Sequence, residues 1–151
     1  MDDLLARVDM FKGIPMNGLT ALADRGRSRK FPAGTEIMHQ GDESDVMHVI
    51  IAGKVRVERS HPDLIEPITL AELGPGETVG EMGLLDAEPR SASAIAEADT
   101  ETLELDAPTM AETIVNHPEV AQALLHILSK RVRSTNELIE TAQRRQGRAN
   151  A

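Results

Sequence analysis

Three features of the sequence predict a mainly β domain with helices at both ends. At 151 residues, the chain has the length of one domain with a substantial core. Between Arg29 and Asp106 it contains short apolar runs separated by turns rich in glycine and proline, as in a β-sandwich or barrel. The flanking segments have helical periodicity. We therefore expect a single domain over residues 1–145 and a disordered tail over 146–151.

The N-terminal segment, residues 1–27, is predicted to form two short helices. These helices cover residues 2–10 and 17–25, and Pro15 separates them. Asn17 follows this break and is a residue type preferred at the N-cap, so we expect it to cap the second helix.

The strand region, residues 28–106, contains six apolar runs that are predicted to be strands. They are EIMH, VMHVIIA, KVRVE, ITLAEL, SASAIA and ETLELD. The segment VIIAGKVRV is predicted to form a β-hairpin with Ala52 and Gly53 at its turn.

The C-terminal segment, residues 107–145, is predicted to be helical. Asp106 can cap a short helix that has Pro108 in its first turn, and a long helix is expected to start at His117 and Pro118 and to end near Arg145. Small and apolar residues in the long helix alternate spacings of four and three, which defines a heptad seam. The seam consists of Ala121, Leu125, Leu128, Val132, Thr135, Ile139 and Ala142. Its two interpretations are packing on its own domain and an interface shared with a second chain.

Composition argues against several classes of function. The net charge of -9 disfavours a nucleic-acid surface, because binding to the phosphate backbone depends on lysine and arginine. The absence of cysteine excludes disulfides, thiolate catalysis and thiolate metal sites. The N-terminus MDDLLARVDMFKG is acidic where a signal peptide is basic, and no apolar run approaches membrane length. We expect a cytoplasmic protein with no nucleic-acid or membrane partner.

The segment VGEMGLLDAEPRSASA, residues 79–94, carries groups suited to a phosphate and a sugar. A strand that ends at Gly80 before a helical turn would present free backbone N–H groups to an anion. Arg90 adds a fork of donors that matches phosphate oxygens, and Ser91 adds a hydroxyl group. Glu81 would repel the same anion, so we expect it to bind another group of the ligand, such as a ribose hydroxyl. A nucleotide with its phosphate close to its sugar fits both requirements.

This segment resembles the phosphate-binding cassette of the cyclic nucleotide-binding domain family, and the resemblance spans nearly the whole chain. The matching residues occur in family order and spacing: Gly41, Asp42, Gly53, Gly80, Glu81, Pro89, Arg90, Ser91 and Ala92. The resemblance implies an eight-stranded antiparallel jelly roll with N-terminal helices and a long C-terminal helix. It also implies a cAMP-binding regulatory module that lacks catalytic activity.

The resemblance assigns a role to each part of the cassette. Glu81 would bind the ribose 2'-hydroxyl, Arg90 the cyclic phosphate, and Ser91, with the backbone of Gly83 and Leu84, the other phosphate oxygens. The long helix would read the base through Thr135 and Asn136. The expected ligand contacts are Gly80, Glu81, Met82, Gly83, Leu84, Arg90, Ser91, Ala92, Thr135 and Asn136. The expected ligand is cAMP, with cGMP as the alternative because a hydroxyl after the cassette arginine can also help to bind guanine; no metal is expected.

The sequence departs from the family pattern at packing positions. Val79 precedes the Gly-Glu pair where the family has an aromatic residue, and Met47 and His48 replace strand aromatics. We expect a softer pocket as a result.

Some of these residues also have simpler interpretations. Taken alone, Arg90 is typical of a surface residue paired with Asp86 or Glu88, and Glu81 is typical of a carboxylate at the start of a helix. A basic cluster is expected to form a solvated helix face that also approaches the acidic mouth of the barrel. Its members are Lys130, Arg131, Arg133, Arg144, Arg145 and Arg148.

Two other functions compete with the sensor hypothesis. A metal-dependent cupin-type enzyme would need clustered histidines, and the sequence has no His-x-His pair. A DNA-binding transcription regulator would need a recognition helix after the long helix, where only about a dozen residues follow Ile139. We therefore expect the effector to be another protein or a further domain outside the given sequence, and the shared-seam interpretation adds a homodimer through the long helix.

Overall fold

The computed structural model of the chain describes residues 2–86 and 89–150, without the side chains of residues 2, 85, 86, 135 and 146–150. The strands in this part are β1 (Arg27–Phe31), β2 (Glu36–Met38), β3 (Val46–Ala52), β4 (Val55–Arg59), β5 (Ile68–Leu73), β6 (Thr78–Val79), β7 (Ser93–Ala96) and β8 (Thr100–Asp106). The helices are α1 (Asp2–Arg7), α2 (Met16–Arg25), α3 (Glu81–Asp86), α4 (Ala107–Asn116) and α5 (Glu119–Asn150), with a 3-10 turn at Asp9–Phe11.

The strands form two four-stranded antiparallel sheets that pack face to face. The strand orders are β1-β8-β3-β6 and β2-β7-β4-β5. Apolar side chains from both sheets fill the space between them: Ile50, Val55, Leu73, Val79 and Ala94. The predicted jelly roll is confirmed.

A second core joins the helices to the outer face of the first sheet. Side chains alternate between the faces of a strand, so Met47 and Val49 of β3 face the helices while Ile50 faces the other sheet. Val120 and Leu124 attach the first turns of α5 to this core. The long helix therefore starts from a fixed position on the jelly roll.

The predicted hairpin at Ala52 and Gly53 is wrong. β3 pairs with β6 and β8, whereas β4 pairs with β5 and β7, so the turn carries the chain from one sheet to the other. Gly53 has a φ of +102°, and a Cβ atom there would lie 2.4 Å from Thr100 Oγ1. A tight corner between the sheets requires glycine as strongly as a hairpin does.

Some helix ends agree with expectation and others differ; the first predicted helix, residues 2–10, is divided into α1, which ends at Arg7, and the 3-10 turn at Asp9–Phe11. Asp106 caps α4 by accepting a hydrogen bond from the Thr109 backbone N–H at 2.9 Å, as predicted. Asn17 is not the N-cap of α2, because the helix already begins at Met16 and Pro15 takes that position. The last helix does not end near Arg145 but continues to Asn150, through residues most of which favour helix.

Candidate functional site

The cassette glycines leave space for one guanidinium group. Gly80 joins β6 to α3 with a φ of +87°, a conformation that favours glycine. A Cβ atom at Gly80 would lie 2.8 Å from Arg90 Nη1, and one at Gly83 would lie 2.9 Å from the same atom. Any side chain at either position would therefore displace Arg90.

Arg90 is buried, with 5% of its surface exposed. Its Nη1 donates to the Gly80 carbonyl oxygen at 2.8 Å, and its Nη2 donates to Ser44 Oγ at 2.6 Å and to the Val46 carbonyl oxygen. Burial lowers the pKa of the guanidinium, and the negative charge of Asp45 opposes this effect. Within the described part of the chain, the buried Nε has no hydrogen-bond partner.

This burial excludes Arg90 as a surface residue. Its alternative partners from the sequence, Glu88 and the Asp86 side chain, lie outside the described residues. The observed arrangement leaves a buried cation with a donor to spare, which an anionic ligand would satisfy.

Glu81 is fully buried and links the cassette to the long helix. Its Oε1 accepts a hydrogen bond from Arg131 of α5, and Arg131 also donates to the Thr78 carbonyl oxygen. Burial lowers the pKa of Arg131, and the charge of Glu77 opposes this effect. Glu81 Oε2 is buried and has no hydrogen-bond partner among the described groups. A buried carboxylate oxygen without a donor is costly, so this atom is suited to accept from a ligand hydroxyl.

The assignment of Arg131 to a solvated helix face is wrong. Its side chain is only 30% exposed and reaches Glu81, whereas Lys130, Arg133, Arg144 and Arg145 are exposed. Arg148 has its side chain outside the described residues. Helical spacing could have predicted this inward position, because Arg131 follows the buried Leu124 by seven residues and so lies on the inward face of α5.

The other predicted ligand contacts differ in how far they are buried. Ala92 is buried and Leu84 is half-buried, whereas Met82 is 43% exposed. Ser91 and Asn136 are exposed. The Thr135 side chain lies outside the described residues.

The described contacts unite only part of the predicted site. They gather Gly80, Gly83 and Arg90 and join Glu81 to α5, but they do not bring Asn136 to this group. Its backbone lies little more than one helical turn beyond Arg131.

The positions that lack the family's aromatic residues are nevertheless buried. Met47 packs against the helices, Val79 lies between the sheets, and His48 is 3% exposed. His48 Nδ1 lies 2.9 Å from Thr102 Oγ1, and its ring meets Phe31 edge-on. Burial, and then the positive charges of Arg90 and Arg29, lower the pKa of His48 to about 4. A cavity of about 270 Å³ adjoins His48 and Arg90; the softer pocket itself stays a prediction.

The structure also bears on the competing functions. In the described ranges, no three histidine, aspartate or glutamate side chains converge in a group that could hold a metal ion, which a cupin-type site needs. Of the helices described, none combines the length and apolarity needed to cross a membrane.

Comparison with known proteins identifies the family. The model of the cyclic nucleotide-binding domain matches residues 28–117. The chain is 32% identical over 136 residues to the CRP-like cAMP-activated global transcriptional regulator of Mycobacterium tuberculosis, covering 90% of this chain and 60% of the relative. It is 39% identical over 127 residues to the cyclic AMP receptor protein of Thermus thermophilus, covering 84% of this chain and 58% of the relative.

A solved structure agrees with these matches. The crystal structure of Thermus thermophilus catabolite activator protein superposes with a TM-score of 0.78 at 36% identity, covering 89% of this chain and 63% of that one. The chain thus spans about 60% of the length of the curated relatives it matches. It belongs to the cyclic nucleotide-binding domain family.

Proposed function

We propose that the chain is a cAMP-binding sensor module without catalytic activity. The observation that carries this proposal is the pair of unmatched buried atoms, Glu81 Oε2 and Arg90 Nε. One is an acceptor and the other a charged donor; Arg90 donates to the Gly80 carbonyl oxygen, and Glu81 follows Gly80 in the chain. A ribose hydroxyl and a cyclic phosphate would satisfy them together.

The rest of the cassette and two residues of the long helix complete the proposed site. Ser91 and the backbone N–H groups of Gly83 and Leu84 would bind the remaining phosphate oxygens. Thr135 and Asn136 would bond the base, since both side chains can donate and accept hydrogen bonds. Two relatives carry cAMP in their names, which favours adenine over guanine.

The long helix α5 is the proposed lid and output element. Arg131 binds one oxygen of Glu81, and the ribose would bind the other oxygen of the same carboxylate, so the nucleotide and the long helix would share this group. Changes at the pair would pass to the exposed part of α5, where a protein effector or a second copy of the chain would respond. This output and a cytoplasmic location are parts of the proposal.

Transcriptional regulation is the second candidate function. The relative from Mycobacterium tuberculosis is named as a transcriptional regulator, and this chain covers 60% of it. The acidic charge of the chain argues that the described domain itself does not bind DNA. A mobility-shift assay with and without cAMP distinguishes this candidate from a module that acts only on proteins.

The test of the proposed function is calorimetry on nucleotide-stripped protein. We expect saturable heat with cAMP and weaker binding of cGMP. The chain has no tryptophan or tyrosine, so an adenine absorbance band in the purified protein would independently reveal retained nucleotide. No heat with either nucleotide at millimolar concentration would overturn the proposal. A rise in melting temperature with added zinc or iron would instead favour the cupin alternative.

A further inference from the structure

We propose that Ser44 is a positioning residue for nucleotide binding, because its hydroxyl group holds the Arg90 guanidinium beside α3. This inference rests on the proposed function. Ser44 lies in the loop between β2 and β3, outside the cassette and 46 residues before Arg90.

The Ser44 hydroxyl is itself held in place. Its Oγ accepts a hydrogen bond from Arg90 Nη2 at 2.6 Å and from the Val46 backbone N–H at 3.3 Å. The same Nη2 donates to the Val46 carbonyl oxygen, while Nη1 donates to the Gly80 carbonyl oxygen at 2.8 Å. The guanidinium is therefore fixed between the β2–β3 loop and the start of α3.

Without this hydroxyl, the guanidinium could turn into a neighbouring cavity. The cavity of about 270 Å³ is lined by both Ser44 and Arg90, and its wall includes Glu104. The Glu104 carboxylate accepts from Arg29 at 2.9 Å and would also attract a second guanidinium that turned into the cavity. Removing the Ser44 acceptor would thus populate orientations of Arg90 that do not face a phosphate, and the apparent affinity would fall with the competent fraction.

The probes are cAMP and its Rp and Sp phosphorothioate diastereomers, each with one exocyclic phosphate oxygen replaced by sulfur. Sulfur is a weak hydrogen-bond acceptor, so the ratio of the two dissociation constants reports how firmly Arg90 is directed at one oxygen. We expect Ser44→Ala to weaken cAMP binding about tenfold, as for the loss of a hydrogen bond to a charged group. We also expect the diastereomer ratio to move toward equality.

Two further variants separate positioning from folding. Ser44→Thr keeps the hydroxyl group and should retain both the affinity and the diastereomer ratio. Ser60→Ala is the matched control, because Ser60 is exposed and bonds Gln40 through its backbone. Its melting temperature provides the reference for a serine-to-alanine change.

The remaining outcomes test the positioning role of Ser44 and the proposed function separately. Three results would overturn the positioning role. Ser44→Ala could weaken the binding of both diastereomers equally, the unaltered protein could fail to distinguish them, or Ser44→Thr could behave like Ser44→Ala. Failure of the unaltered protein to bind cAMP would overturn the proposed function itself, before any variant is compared.

Discussion

Arg90 and Glu81 make unequal contributions in the proposed complex. Arg90→Leu would leave the phosphate without its buried cation, and we expect a loss of about 2 to 5 kcal/mol in binding free energy. Glu81→Gln keeps a hydrogen-bonding group for the ribose, so its loss should be smaller. Calorimetry with cAMP compares the two variants. If both changes are negligible, the nucleotide binds elsewhere.

Gly83 allows binding to be separated from stability. It lies in α3 without a positive φ, where alanine favours helix by about 0.5 to 1 kcal/mol. The added Cβ would lie 2.9 Å from Arg90 Nη1 and 3.2 Å from the Ser44 carbonyl oxygen, so the guanidinium must shift. We expect Gly83→Ala to weaken cAMP binding clearly while its melting temperature stays close to that of the unaltered protein.

The control for this prediction is Gly74→Ala, because an added Cβ there meets no atom within 4 Å. It should leave cAMP affinity unchanged. Normal affinity in Gly83→Ala would show that the position of the guanidinium is not critical.

His48 predicts sensitivity of the fold to acid. Its pKa falls from 6.5 to about 4 in the folded state, so the unfolded chain binds this proton more readily between those values. The contribution of neutral His48 to the free energy of unfolding is complete above about pH 6.5 and is lost as the pH falls toward 4. Between pH 7 and pH 5 this loss amounts to about 2 kcal/mol. Urea denaturation at both pH values should show a smaller difference for His48→Gln than for the unaltered protein. An identical difference in both proteins would assign the acid sensitivity to other groups.

At the scale of elements, α5 is joined to the cassette through Arg131. Beyond this residue, the described side chains of the helix are exposed over residues 132–145. We expect cAMP to raise protection from hydrogen exchange in residues 79–94 and also in residues 130–142, as the base draws the helix onto the barrel. Protection confined to residues 79–94 would mean that the nucleotide is held without the helix, and the proposed output would be wrong.

The ion pair itself can be tested with Arg131→Met, which keeps an unbranched side chain and removes the charge. We expect residues 130–142 to exchange faster in the nucleotide-free variant than in the unaltered protein. Arg133→Met is a suitable control, because Arg133 is exposed on the same helix. Equal exchange in both variants would show that the ion pair does not hold α5.

Strand patterns in the sequence predicted six of the strands, and the resemblance predicted the jelly roll. β1 was missed because three of its five residues are basic. β6 has too few residues to show periodicity and was expected only as the strand that ends at Gly80. The hairpin error at Gly53 has a related cause, since alternation identifies strands but not the sheet to which each belongs. The motif predicted Glu81 and Arg90, whereas the Arg131 contact depends on where α5 lies over the barrel.

At the scale of the whole molecule, part of the heptad seam faces solvent. Leu125, Val132 and Ile139 are 65%, 54% and 47% exposed, and their spacing of seven places them on one face of α5. Leu128, another member of the seam, instead packs against the core of the domain. Packing on its own domain thus applies to part of the seam, and its exposed members are where we expect a second chain.

Sedimentation equilibrium tests this expectation. The unaltered protein should form a dimer, and Val132→Glu should shift it toward monomer because a charge would be buried in the interface. Val115→Glu is the control, since Val115 is 77% exposed but lies in α4. A monomer at all accessible concentrations, or equal effects of both variants, would argue against the seam as an interface.

The contact between Arg131 and Glu81 also affects the cAMP concentration at which such a sensor would respond. Coupling between two binding events is reciprocal, so whatever factor the nucleotide applies to a partner on α5, that partner applies to the nucleotide. The concentration of cAMP at half response would then be a joint property of the chain and its partner. The same domain could answer to different nucleotide levels according to how much partner is present.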